Sequence, residues 1–380
     1  MFTSSISEAE NKLISYLPNT GSYYERKRNY SVDLETNKNT TSLLSPYIRY
    51  RAISEEKVLK QVLEINGPHK AEKYIQEIFW RTYWKGWLEH RPEVWRDFVD
   101  SDPTYSAEEY QKAINGETGI ECFDDWVKEL KTENYLHNHT RMWFASIWIF
   151  TLNLPWELGA RFFMKHLFDG DAASNTLSWR WVAGIQTQGK NYLARESNIR
   201  KFTNQRYMNT SLNENALPLE NHKIYNPQEI RHLHTEQKHK NLVLFESDLN
   251  VSERHSFFKN YENVFLVLLD NTERNIELNE KVLNFKRTLQ EAFTKKISNS
   301  QIVKGDDIKK INEEFDVMYP SIGENLDFLN REIKDITKLH FVSSKEDIFC
   351  WQFSKKGFFN FKKNIPEVIK YLLHEESFFD

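Results

Sequence analysis

The sequence predicts a mainly α-helical chain with a smaller, Rossmann-like α/β domain towards its C-terminal end. Three observations carry this. From about residue 55 to 205, aromatic and apolar residues recur at helical spacing between turns at "DSDPTYS", "INGETG" and "NLPW". Beyond 240, short β-type runs alternate with amphipathic stretches, the pattern of a parallel sheet with crossover helices. Between them "NTSLNENALPLENHKIYNPQEIRHLHTEQKHKN" is polar and carries prolines, as a linker does. The division is 1–210 helical, 211–239 linker and 240–380 α/β, and 380 residues leave room for two cores.

Each element follows in order. The apolar run from Met142 to Trp156 falls short of the roughly twenty residues that span a bilayer, so it reads as a buried helix. "NLVLFES" and "VFLVLLDN" read as strands, the second covered on both faces because no charge interrupts it. "LNEKVLNFKRTLQEAFTKKI" is an amphipathic helix, "SQIVKGD" a further strand and "DIKKINEEF" a further helix. No GxGxxG or Walker loop appears, so this domain has no phosphate cradle by motif.

Composition narrows the chemistry. Lys and Arg number 51 against 55 acids, a net charge of -4, so a polyanion must be held by a local basic face. Cations such as Arg26, Lys27, Arg28, Arg49, Arg51, Lys85, Lys190, Arg195, Arg200 and Lys201 gather around the helical motifs and favour such a groove. Aromatic residues make up 14%, with 11 tryptophans, most of them expected in the core. Cys122 and Cys350 alone give no disulfide framework and no four-cysteine cluster, and a reducing cytoplasm is expected. The opening residues lack the basic start and apolar core of a secretory signal. No metal is expected: His137 and His139 have no Glu or Cys at ligand spacing, and His232, His234 and His239 read as a solvated loop.

Four segments could carry a function. In "EIFWRTYW", Glu77, Trp80, Arg81 and Trp84 share one helix face, either an amphipathic rim with a Glu–Arg pair or a surface that stacks on bases and holds phosphate. In "HNHTRM", Asn138, Arg141 and Met142 share a face, and Arg141 on a buried helix calls for an anion. "NTTSLLSPYI" sets Thr41, Ser42 and Ser45 before a helix, an ordinary N-cap or an anion site. "DGDAASNTLSWRW" packs two acids, an amide and two indoles together and reads as a pocket floor.

Taken in this order, the segments resemble the flavin-binding catalytic domain of the DNA photolyase and cryptochrome family, from about Tyr24 to Tyr207. The resemblance implies FAD, bound by Tyr24, Thr41, Ser42, Leu43, Leu44, Ser45, Tyr74, Arg141, Asp169, Gly170, Asp171 and Asn175. It implies a substrate pocket for cyclobutane pyrimidine dimers in UV-damaged DNA, with Glu77, Asn138 and Met142 as catalytic residues. Arg28, Trp80, Arg81, Trp84, His139 and Trp181 would contact DNA, and Trp179 and Trp156 would pass electrons. The third member of that relay falls near "DPTY", where no tryptophan stands, so Trp126, Trp143, Trp148 or Tyr105 could serve. The α/β domain follows the helical one instead of preceding it, which implies a circular permutation or a diverged antenna domain moved to the C-terminus. Its antenna pigment is left open, and no membrane or obligate protein partner is implied. Two rival readings share these residues: a cryptochrome-like photoreceptor, and a flavin-free nucleic-acid-binding module.

Overall fold

The computed structural model describes residues 2–32, 39–311 and 313–374. The helical part is organised around one long helix, Glu72–Glu89. Ile75, Ile78, Phe79, Tyr83 and Leu88 bury its apolar side, while Glu77, Arg81, Lys85 and Glu89 recur every fourth residue and form a polar stripe. Helix Asn138–Ser146 continues into a π-helical turn, Ile147–Thr151, and Leu154 and Pro155 lead into helix Trp156–His166. The run from Met142 to Trp156 is thus two helical pieces and a turn, buried from 143 to 150 and exposed at Asn153.

Helix Ala172–Ala183 begins at Asp171, whose carboxylate accepts from the Ser174 amide at 2.8 Å, and ends at Gly184 with φ 82°. It lies close to helix Trp156–His166 because Gly159 has no side chain. A Cβ there would stand 2.3 Å from the Trp179 ring.

The sheet is parallel throughout, in the order β3-β2-β1-β4-β5. Its strands are β1 (Asn241–Phe245), β2 (Asn263–Leu268), β3 (Ser300–Lys304), β4 (Phe315–Met318) and β5 (His340–Val342). Central β1 is buried along its whole length, with Val243 paired to Phe265 on one side and Val317 on the other. "DIKKINEEF" does not form the expected helix: helix Gly305–Ile308 stops early and Phe315 already opens β4. The acidic side chain in β4 is absorbed locally, since Asp316 accepts from the Lys238 and His239 amides and the Tyr261 hydroxyl.

Past β5 the chain returns to the helical part. Helices Lys345–Trp351, Phe358–Lys363 and Ile365–Leu373 pack on Glu55–Lys70 and Glu72–Glu89. The last residues therefore extend the helical body, not the sheet, a difference from the expected 240–380 unit. Arg51 joins Asp347 at 2.5 Å across this contact. Segment 211–239 is strapped along the surface by Leu219 N to Ala183 O (2.9 Å) and Gln228 N to His90 O (2.8 Å). One hydrophobic core runs through both parts, with Phe285 stacked on Phe168 just before the aspartate turn. Among the described residues no helix is long and apolar enough to cross a membrane.

Candidate cofactor and substrate site

The floor of the site is the turn at residues 169–171. Asp169 is buried, and its Oδ2 accepts from Ser45 Oγ at 2.5 Å and from Arg141 Nη2 at 2.9 Å. Arg141 also donates to Leu136 O and lies over the Tyr135 ring. Burial works against the charge on Asp169, but Arg141, Ser45 and Arg81 hold its carboxyl below the usual range. Asp171 behaves alike: burial opposes ionisation, and Arg49, Lys85 and Arg81 outweigh it. Arg49 Nε ties the turn together by donating to Gly170 O at 3.0 Å, 3.7 Å from Asp171.

The 41–45 segment folds against this floor. Tyr74 donates its hydroxyl to Ser42 Oγ at 2.9 Å, and Tyr24 meets the Tyr74 ring edge-on at 5.0 Å. Leu44 is buried, Thr41 half-buried, and Leu43 takes φ 55°, a conformation that costs a side chain of its kind about 1–2 kcal/mol. Asn175 Nδ2 donates to Ala160 O, which orients the amide on the helix after the turn.

The outer rim is more open. Glu77 pairs with Arg28 and not with Arg81; burial raises its carboxyl pKa while Arg28 opposes the shift. Asn138 is exposed at the start of its helix and Met142 half-buried beside Arg141. Trp80 is half-buried and stacks on Phe358 of the C-terminal helices at 3.6 Å, and Trp181 stacks on Tyr192 at 5.8 Å.

Three residues expected to touch DNA sit elsewhere. Arg81 turns inward, where it acts on Asp169 and Asp171 and its Nη1 is buried without a partner. Trp84 is core, packed on Trp80 and Tyr83. His139 is buried against Trp143, with Nδ1 at Asn29 O and Nε2 at Tyr192 Oη. Trp179 and Trp156 are both buried, but among the described residues their rings do not meet: Trp156 stacks on Phe98, and Trp179 meets Trp148 and Phe163.

Residues 74–244 match the family described as the FAD binding domain of DNA photolyase. That stretch is similar to the FAD-binding domain of the DNA photolyase family. A deoxyribodipyrimidine photo-lyase from Streptomyces griseus is 32% identical over 175 residues, which is 42% of this chain and 38% of that protein. Those of Agrobacterium fabrum and Escherichia coli are 31% and 28% identical, over 46% and 48% of this chain and 37% and 39% of theirs. The matched region thus spans under two fifths of these relatives. A solved bacterial class III photolyase from Agrobacterium tumefaciens aligns at a TM-score of 0.44 and 26% identity, covering 52% of this chain and 42% of that one.

The residues of this photolyase-type domain fit the cofactor implied for it. Asp169 Oδ1, Arg81 Nη1 and Ser174 Oγ are buried with no protein partner, all on or beside the aspartate floor. Buried polar atoms are rarely left so, and a ligand bringing phosphate, hydroxyl and ring-amide groups satisfies an acid, a guanidinium and a hydroxyl together. Tyr24, Tyr74 and Tyr135 add ring surface. The sequence reading missed Tyr135 and gave Arg49 and Lys85 only as general cations. Lys85 was findable, because it stands one turn past Arg81 on the same stripe. A narrow cleft borders Gly170 and Asp171 from the sheet side and is lined also by Lys286 and Glu246, which pair at 2.7 Å.

Proposed function

We propose that this chain repairs cyclobutane pyrimidine dimers in DNA, driven by light, through bound FAD. One observation supports the reading above others: Glu77 faces the half-open rim while Arg81, one turn on, reaches the aspartate floor. A single helix thereby addresses a substrate on its outer side and a cofactor on its inner side. Bound, reduced FAD supplies the light-driven electron that opens the dimer and takes it back. Glu77, whose carboxyl pKa burial raises while Arg28 opposes the shift, hydrogen-bonds the dimer from this rim. Asn138 offers amide donors, and Met142, Trp80 and Trp181 offer apolar walls to an extruded base pair, which a lesion makes cheaper to flip out. Arg28 holds Glu77 in place and meets phosphate when substrate displaces that pair. We infer that the sheet domain is the family's α/β domain in permuted order.

The test exposes FAD-loaded protein to dimer-bearing oligonucleotide under blue light and in darkness. Repair only in the light is expected, and Glu77→Ala lowers the yield with FAD still bound. Equal dimer loss with and without light, or none in either, overturns the proposal; flavin photochemistry without repair favours the photoreceptor.

A further inference from the structure

We propose that the far end of the chain forms a second DNA-binding surface beside the rim. In it Phe359 stacks on a base of the strand flanking the lesion, and Lys355, Lys356 and Lys363 hold its phosphates. The proposal rests on DNA as the substrate. Between Asp347 and Glu367 the sequence carries four lysines, six aromatic residues and no acid, in a chain of net charge -4. Such a stretch supplies the local basic face that a negative chain needs to hold a polyanion.

The fold sets this stretch against the helix that carries Glu77 and Trp80. Phe358 stacks on Trp80 at 3.6 Å, Tyr83 Oη donates to Lys356 O at 3.0 Å, and Arg91 Nη2 donates to Lys355 O at 2.8 Å. The backbone is therefore pinned to that helix, while Lys355 and Lys356 stay exposed. Phe359 and Lys363 stand four residues apart on helix Phe358–Lys363 and share its outer face. Phe359 is 82% exposed. Among the described residues the ammonium groups of Lys355, Lys356 and Lys363 have no carboxylate partner, whereas Glu72 takes Lys362 at 2.9 Å.

The rings already spent decide the partner. Phe358 and Phe361 turn inward onto Trp80, Tyr83 and Phe79, so the apolar side of their helix is covered. A helix that lies on a membrane needs that side free. Protein interfaces exclude lysine from their cores, and here the one free ring comes with three unpaired lysines. An exposed ring alone carries no meaning; its place beside Trp80 and these cations does. A nucleic-acid strand uses both, with a base face on the ring and phosphates on the ammonium groups. Trp80, walled by Phe358, joins this surface to the place of the extruded dimer. Extrusion leaves the neighbouring bases unstacked, and Phe359 offers one of them a new stacking partner.

The experiment follows binding of the full, FAD-loaded chain to fluorescent duplexes, with and without a dimer, by anisotropy in darkness over a range of salt. Lys355→Gln, Lys356→Gln and Lys363→Gln combined should weaken both duplexes about tenfold or more, because phosphates report no lesion. The slope of log affinity against log salt should fall by roughly 2.7, for three lost contacts. Phe359→Ala should weaken the dimer-bearing duplex about tenfold and leave the lesion-free one unchanged. All four positions are exposed, so equal urea midpoints check that the fold is kept. A control triple on the sheet domain, Lys259→Gln, Lys295→Gln and Lys296→Gln, removes the same charge at exposed sites and should bind as the parent. Parental affinity in the lysine triple or in Phe359→Ala overturns the surface, as does equal weakening in the control triple. Capture of the parent by phosphatidylserine vesicles, lost in the lysine triple while DNA affinity holds, overturns it in favour of lipid. Absence of light-driven repair in a parent whose variants lose DNA as described sinks the repair reading and leaves the surface standing.

Discussion

The floor and the rim of the site are built on different physics. At the floor, Asp169 and Asp171 are buried, and the partly buried Arg141, Arg49 and Arg81 hold their charge. At the rim, the Glu77–Arg28 pair is about one third exposed, at 32% and 30%, and Trp80 leans on a ring from a helix at the far end of the chain. A buried charge tolerates little change in its partners, whereas a half-exposed pair is softened by solvent. The difference teaches where the chain has freedom: the floor is fixed by charges that depend on one another, and the rim can adjust.

The hardest way to break this contrast is Asp169→Ala. It strands Arg141 without its carboxylate, and removing one partner of a buried pair costs about 3–5 kcal/mol. Urea midpoints should fall accordingly, and purified protein should carry no flavin absorbance. A variant that keeps FAD at parental occupancy would mean that the floor is structural only.

Phe358→Ala acts on the other side. Phe358 is buried against Trp80, Tyr83 and Phe361, so its loss should cost about 3 kcal/mol. The flavin content should stay, because none of these rings belongs to the floor, while repair yield falls as the Trp80 wall loosens. Loss of flavin here would show that floor and rim are one unit. Gly159→Ala is milder. Crowding Trp179 should cost about 1–3 kcal/mol in denaturant unfolding, with the helix pair forced apart.

The same contrast explains what was legible in the sequence. "DGDAASN" is legible as a charged cluster because its partners are constrained: two buried acids need donors, and Arg141 and the Ser174 amide supply them. Arg141 was foreseen from burial alone. Arg81 was misjudged because helical spacing gives a face but not its direction, and Glu77 found Arg28 instead. β4 and β5 escaped detection because four and three residues are too few for a pattern, and Asp316 breaks the apolar run. The helix Ile365–Leu373 is plainly amphipathic, with Ile365, Val368, Ile369 and Leu372 buried, yet such a stripe does not say which body it meets. Phe358 on Trp80 is a contact across most of the chain, invisible to any local window.

Acid titration separates the regions with the smallest effect. Burial lowers His137 to about 3 and His139 to about 4, so both stay neutral in the fold. Unfolded histidine binds a proton below about pH 6.5, which favours the unfolded chain, so stability falls as pH drops through that value. Asp169 and Asp171, held below their ordinary range, keep their contribution above about pH 3.9 and lose it only at stronger acid. Glu89, where the long helix meets the sheet, runs the other way. Burial raises it to about 7 while it accepts from Tyr319 and the Ile322 amide. Its folded form binds the proton more readily, so its contribution is greatest below about pH 4.3 and is lost as pH rises to about 7. Between those limits it masks part of the histidine slope. Glu89→Gln removes the mask, and urea midpoints should then decline more steeply with acid than in the parent; parallel curves would place the Glu89 proton outside the folded state.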